Sequence, residues 1–146
     1  TFGQLYADKP MTRKQVEHAV SMQFPDVRLK TYLEIRPADS MPIPYVIAYA
    51  ALIKGLFYNE GNLQQLEALF ADVDADAFEM AKDALMEGGY NADVYGVPVA
   101  DLCDRVIGLA ENGLNPDDRT LLEPLSGLVA QRVTLADLAE RESKKA

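Results

Sequence analysis

The chain has 146 residues, 49% of them apolar and 25% charged, which suits one globular body with a real core and excludes a disordered tract. Its net charge of −9 argues against nucleic acid and anionic membrane surfaces as partners. A single cysteine, Cys103, excludes an internal disulfide and fits a reducing, cytoplasmic compartment, and a single histidine, His18, excludes a multi-histidine metal site. No signal peptide is expected, and the most apolar run, residues 43–53, is too short to cross a bilayer.

Residues 1–9 read as polar and irregular. The spacing predicts a helix over residues 12–24, with Thr12 as N-cap and Val16, Ala19, Val20 and Gln23 on one face. Phe24-Pro25-Asp26 stops it, because proline disfavours helix in the residue before it. Residues 27–36 then alternate without a break: Val27, Leu29, Thr31, Leu33 and Ile35 on one side, Arg28, Lys30, Tyr32, Glu34 and Arg36 on the other. Period-2 alternation predicts a half-buried strand, and Pro37 ends it. A loop rich in turn formers follows, with Asp39 and Ser40.

From Pro44 onward the pattern is helical. Residues 45–58 are apolar nearly all round, which predicts a central helix buried on every face. Leu63, Leu66, Leu69 and Phe70 mark a short amphipathic helix, and Asp74 caps another that runs to Gly88-Gly89. After a loop over residues 90–96, Pro98 opens a helix with Leu102, Val106, Leu109 and Ala110 as its stripe and Gly113 as its stop. Asn115-Pro116 starts the next, irregular near Pro124, and Thr134 to Asp137 form a capping box for the last. The result is a predominantly helical α+β chain, with six or seven helices and one strand. It reads as a helix (12–24), a charged strand (27–36) and a helical region (44–146).

A lone strand with one buried face needs neighbours. None of similar quality follows residue 37, so they are expected upstream. With Thr1 rather than Met at the start, this suggests that residues 1–146 are a single C-terminal piece of a larger protein. Freed of that context, the strand and the all-apolar helix would leave sticky surface and favour self-association.

Same-face neighbours two residues apart on a strand are roughly 6.6 Å apart. Glu34 and Arg36 can therefore reach one ligand, the carboxylate as a hard oxygen donor and the guanidinium as a fork for phosphate or carboxylate. Glu-x-Arg alone is equally compatible with a solvent-facing strand whose charges pair with a neighbour.

The longer run from Phe24 to Asp39 resembles a segment of glutamate–cysteine ligases of the proteobacterial and plant type. The resemblance extends back to His18 and forward through Ala51-Leu52-Ile53-Lys54-Gly55-Leu56-Phe57-Tyr58, covering residues 15–60. It implies the C-terminal part of a glutamine-synthetase-like carboxylate–amine ligase fold. The activity it implies is ATP-dependent joining of glutamate to cysteine through a γ-glutamyl phosphate, the first step of glutathione synthesis. It assigns Glu34 as a ligand of Mg²⁺ and Arg36 as the catalytic contact to the phosphoryl group or activated glutamate. Arg28, with Tyr32 and Asp39 shaping the pocket, is assigned to substrate. Lys30 and His18 receive no role, and Cys103 reads as packing. The partners implied are glutamate, cysteine, ATP and the remainder of the parent enzyme, without which these residues are expected to be inactive. Two alternatives stand: a related ligase with another amine acceptor, and an acidic helical module whose strand completes a partner's sheet.

Overall fold

The computed structural model describes residues 2–144; Thr1, Lys145 and Ala146, at the ends of the 1–146 piece, lie outside the described residues. The chain divides into two compact units, Thr1–Ser40 and Met41–Ala146. The connecting segment carries Pro37, Pro42 and Pro44, residues that withhold backbone donors from any ladder or helix.

The first unit contains a short helix α1 (Phe2–Leu5), helix α2 (Arg13–Ser21) and strands β1 (Val27–Leu29) and β2 (Leu33–Ile35). Thr12 caps α2 in a full capping box: its side chain accepts from the Gln15 amide, and the Gln15 side chain accepts from the Thr12 amide. The expected ten-residue strand is folded back on itself. β1 and β2 pair antiparallel, Val27 with Ile35, Arg28 with Glu34 and Leu29 with Leu33, around a turn at residues 30–32. The strand's neighbour is thus its own second half, a correction to the single strand over residues 27–36.

The second unit is helical: α3 (Ile43–Phe57), α4 (Glu60–Leu69), α5 (Ala75–Gly88), α6 (Val99–Gly113), α7 (Pro116–Gln131) and α8 (Leu135–Ser143). Side-chain oxygens of Asn59, Asp74, Asn115 and Thr134 cap α4, α5, α7 and α8. α7 runs unbroken through Pro124. Its C-cap, Arg132, takes a left-handed φ of 55° and clamps the Asp104 carboxylate on α6 with two 2.6 Å bonds. Residues 90–96 are not simply a loop: strands β3 (Asp93–Val94) and β4 (Val97–Pro98) form a minimal hairpin. Tyr95 and Gly96 between them have φ of 55° and 78°, the positive pair a two-residue type I′ turn requires.

The core lies where α3 crosses α6 and α7, with Ala51, Leu56, Leu109, Ala110, Leu114 and Leu122 buried together. The crossing is close because Gly55 and Gly113 lack side chains. A Cβ on Gly113 would strike the Gly55 carbonyl and the Asn62 amide nitrogen. The expectation that α3 is buried on every face is corrected. Only Ala48, Ala51, Gly55 and Leu56 are buried, while Ile43 is 74% and Val46 49% exposed. Within this unit α6 and α7 cover one side of the helix, and an apolar composition alone does not supply a cover for the other. The architecture is a predominantly helical α+β fragment.

Candidate functional site

The β1–β2 hairpin gathers four charges onto one face. In a continuous strand Arg28 and Glu34 would stand about 20 Å apart. The hairpin register instead sets them opposite one another. Arg28 Nε and Nη2 both donate to Glu34 Oε2 at 2.7 Å. Lys30 Nζ and Arg36 Nη1 each lie 3.7 Å from the same oxygen. One carboxylate therefore sits among three cations, and the group is partly screened from water, with Arg36 24% and Arg28 26% exposed. The Arg28 hydrogen bond is the largest influence holding the Glu34 carboxyl below its usual range; burial opposes it, and the charges of Arg28, Lys30 and Arg36 reinforce it.

The backbone fixes the frame. The Lys30 amide donates to the Tyr32 carbonyl at 2.8 Å across the turn, and the Arg36 amide donates to the Asp26 carbonyl at 2.8 Å at the open end. Lys30 also rests 5.7 Å from the Tyr32 ring centre, and the Arg36 guanidinium 5.0 Å from that of Phe24. Of the residues singled out in sequence, Arg28, Glu34, Arg36 and Tyr32 come together here. Asp39 lies in the following loop, accepting from the Ser40 amide at 2.7 Å. His18 lines a separate open cavity of about 430 Å³ with Tyr6, Lys9, Thr12, Lys14 and Gln15. Cys103 packs, half-buried, beside Ala81, Val94 and Val99, where burial pushes its thiol up and makes it a poor nucleophile.

Lys30, which alternation places on the charged side without a role, belongs to the cluster. Phe24, part of the expected helix stop, is the member that sequence reasoning does not reach, because its ring under Arg36 has no signal in period-2 alternation.

Charge is divided between the units. Residues 1–40 hold six Lys/Arg against five Asp/Glu, net +1, whereas residues 41–146 hold eight against eighteen, net −10. The acidity of the chain thus belongs to its helical unit, and an anion approaching the hairpin meets a local excess of positive charge. For a metal ion the fit is partial. Glu34 is a hard oxygen donor kept ionised by its neighbours, but among the described residues no three His, Cys, Asp or Glu side chains converge. Glu34 can supply one ligand of a set, and the other donors would have to come from residues beyond those described.

Compared with known proteins, the chain matches no protein-family model. It is 34% identical over 98 residues to the chloroplastic glutamate–cysteine ligase A of Oryza sativa subsp. indica. Over the same length it is 32% identical to the chloroplastic glutamate–cysteine ligase of Solanum lycopersicum and 33% identical to that of Arabidopsis thaliana. Each match covers 67% of this chain but 19–20% of the relative, so the chain spans about a fifth of the length of these curated relatives. The molecule is a helical α+β fragment bearing one charged hairpin. It belongs, as a fragment, with the glutamate–cysteine ligase family.

Proposed function

We propose that this chain is part of an ATP-dependent ligase that joins glutamate to cysteine, and that the β1–β2 hairpin is its contribution to the active site. The observation that carries the reading is the set of three cations held around Glu34, together with relatives that bear the name glutamate–cysteine ligase. In the proposed reaction a γ-carboxylate oxygen of glutamate attacks the terminal phosphorus of ATP, and ADP leaves. The cysteine amine then attacks the acyl carbon, phosphate departs, and the amine proton is lost.

Both steps move negative charge through oxygens bonded to phosphorus, so fixed cations stabilise them. Arg36 takes the transferring phosphoryl group or the activated glutamate. Arg28 takes a substrate carboxylate, and Tyr32 and Asp39 border the pocket. Lys30 adds positive charge beside them. Glu34 keeps the three cations from repelling one another and would donate one oxygen to Mg²⁺, which when bound neutralises phosphate charge. The wider fold proposed is the glutamine-synthetase-like one, with the remainder of the enzyme as the partner of this fragment.

Because the chain spans a fifth of its relatives and offers one carboxylate of a metal set, the 146 residues alone are expected to be inactive. Among the described residues no helix is long and apolar enough to cross a membrane. The cytoplasm is the compartment we propose, on the strength of the lone free cysteine.

The test is amino-acid-dependent ATP turnover by the full-length protein. Glutamate with cysteine should support it. Turnover with glutamate and a different amine, but little with cysteine, would instead establish a related carboxylate–amine ligase. Glu34→Gln should abolish turnover while leaving the far-ultraviolet spectrum unchanged, and retained activity would remove Glu34 from the site.

A further inference from the structure

We infer that Phe24 is a positioning residue for Arg36, its ring serving as the platform on which the guanidinium lies. This rests on the ligase reading above, which gives Arg36 its work. Phe24 is 77% exposed, so burial in a core does not account for its place. Its centre is 5.0 Å from Arg36 Cζ, within the range of a cation–π contact. Two backbone features hold the pair together. Pro25 restrains Phe24 to extended conformations. The 2.8 Å bond from the Arg36 amide to the Asp26 carbonyl ties the two chain segments side by side.

Arg36 is thus held twice, by the ring and by the Glu34 carboxylate 3.7 Å away. With its central carbon over the ring the guanidinium is held by the π face, and its N–H groups turned away from the ring stay available for two-point contact with a phosphoryl or carboxylate group. Without the ring, an arginine carries several rotatable bonds and only the longer contact to Glu34. The reacting group would then have to order the side chain itself.

The experiment uses the full-length protein with ATP, glutamate and cysteine. Phe24→Leu keeps an apolar side chain and removes the π face. It should lower kcat about two- to fivefold with little change in KM for glutamate, since Phe24 is exposed and Arg36 acts on the group being transferred. Phe24→Tyr should stay within about twofold of the parent, and the melting temperature of both should match it. A graded series of fluorinated phenylalanines at position 24 alters the ring quadrupole with little change in size, and log kcat should fall with each fluorine. A flat series, or equal losses in Phe24→Leu and Phe24→Tyr, would overturn the proposal. Arg36→Ala separates its failure from that of the ligase reading. If Arg36→Ala is inactive while Phe24→Leu equals the parent, only the role of Phe24 falls. If Arg36→Ala is fully active, Arg36 has no catalytic part and both assignments fall.

Discussion

Among the described residues of the helical unit Asn62 is the buried polar side chain, 4% exposed, and its removal should be among the costliest single changes there. Its Nδ2 donates to the Gly55 carbonyl at 2.8 Å and the Leu109 carbonyl at 2.6 Å, joining α4 to α3 and α6 at their closest approach. Gly55 lies in the last turn of α3, where carbonyls have no helical amide to accept from. Asn62→Ala would strip that buried acceptor of its side-chain donor, at about 1–3 kcal/mol. Loss of the second bond adds about 0.5–1.5 kcal/mol, for a total near 2–4 kcal/mol. Asn62→Asp should cost at least as much, since an ionised carboxylate has no proton to donate and would face two carbonyl oxygens. With a urea slope of about 2 kcal/mol/M, the midpoint followed by circular dichroism should fall by roughly 1–2 M. Gln65→Ala on the exposed side of α4 is the control and should move it little. If Asn62→Ala and Asn62→Asp both unfold with the parent, the close crossing does not depend on this bridge.

Two glycines of α6 should respond with opposite sign to alanine. Gly113→Ala drives a Cβ against the Gly55 carbonyl and the Asn62 side chain and should destabilise by about 1–3 kcal/mol, whereas Gly108→Ala meets nothing within 4 Å and should stabilise by about 0.5–1 kcal/mol, as thermal melts would show. The Glu34 carboxyl, followed by carbon NMR, should titrate below its ordinary 4.5 and move back towards it in Arg28→Ala. Because the folded state binds that proton more weakly than the unfolded chain, the contribution of Glu34 to stability is present above about pH 4.5. It is lost as pH falls through the lowered value, and Glu34→Gln should remove that part of the acid-side decline.

The helical unit was legible because its signals are local. Asp74, Asn115 and Thr134 each stand one residue before a helix, and each accepts a backbone amide three residues on. What eluded the sequence depends on partners. The apolar circumference of α3 says that the helix can be buried, yet how much of it is buried depends on which neighbours arrive, and Ile43 and Val46 remain exposed. The β3–β4 hairpin is two residues per strand, too short for any periodicity. Its only cue was the Tyr95-Gly96 pair that the positive-φ turn occupies. The role of Asn62 likewise has no local signal, because its two acceptors lie 7 and 47 residues away.

The charged face survived a wrong reading of the backbone for a reason of parity. A hairpin pairs residues whose numbers have a constant sum, here Val27 with Ile35 and Arg28 with Glu34. Because that sum is even, even-numbered residues face even-numbered ones, and the side assigned to Arg28, Lys30, Glu34 and Arg36 in an extended strand is the side they share after folding back. An odd sum would have set apolar residues opposite charged ones, which the alternation itself disfavours. The sequence therefore constrains the composition of the face more tightly than its shape. Shape decides the chemistry: an extended strand would hold three cations in a row spanning many ångströms, while the hairpin draws them within 4 Å of one carboxylate oxygen. Glu34 can hold that much positive charge together only while ionised. On the proposed reading the same electrostatics that lower its proton affinity would let the cluster receive a second anion, and the lowering of the Glu34 titration and anion binding by the hairpin should therefore weaken together when Arg28 is removed.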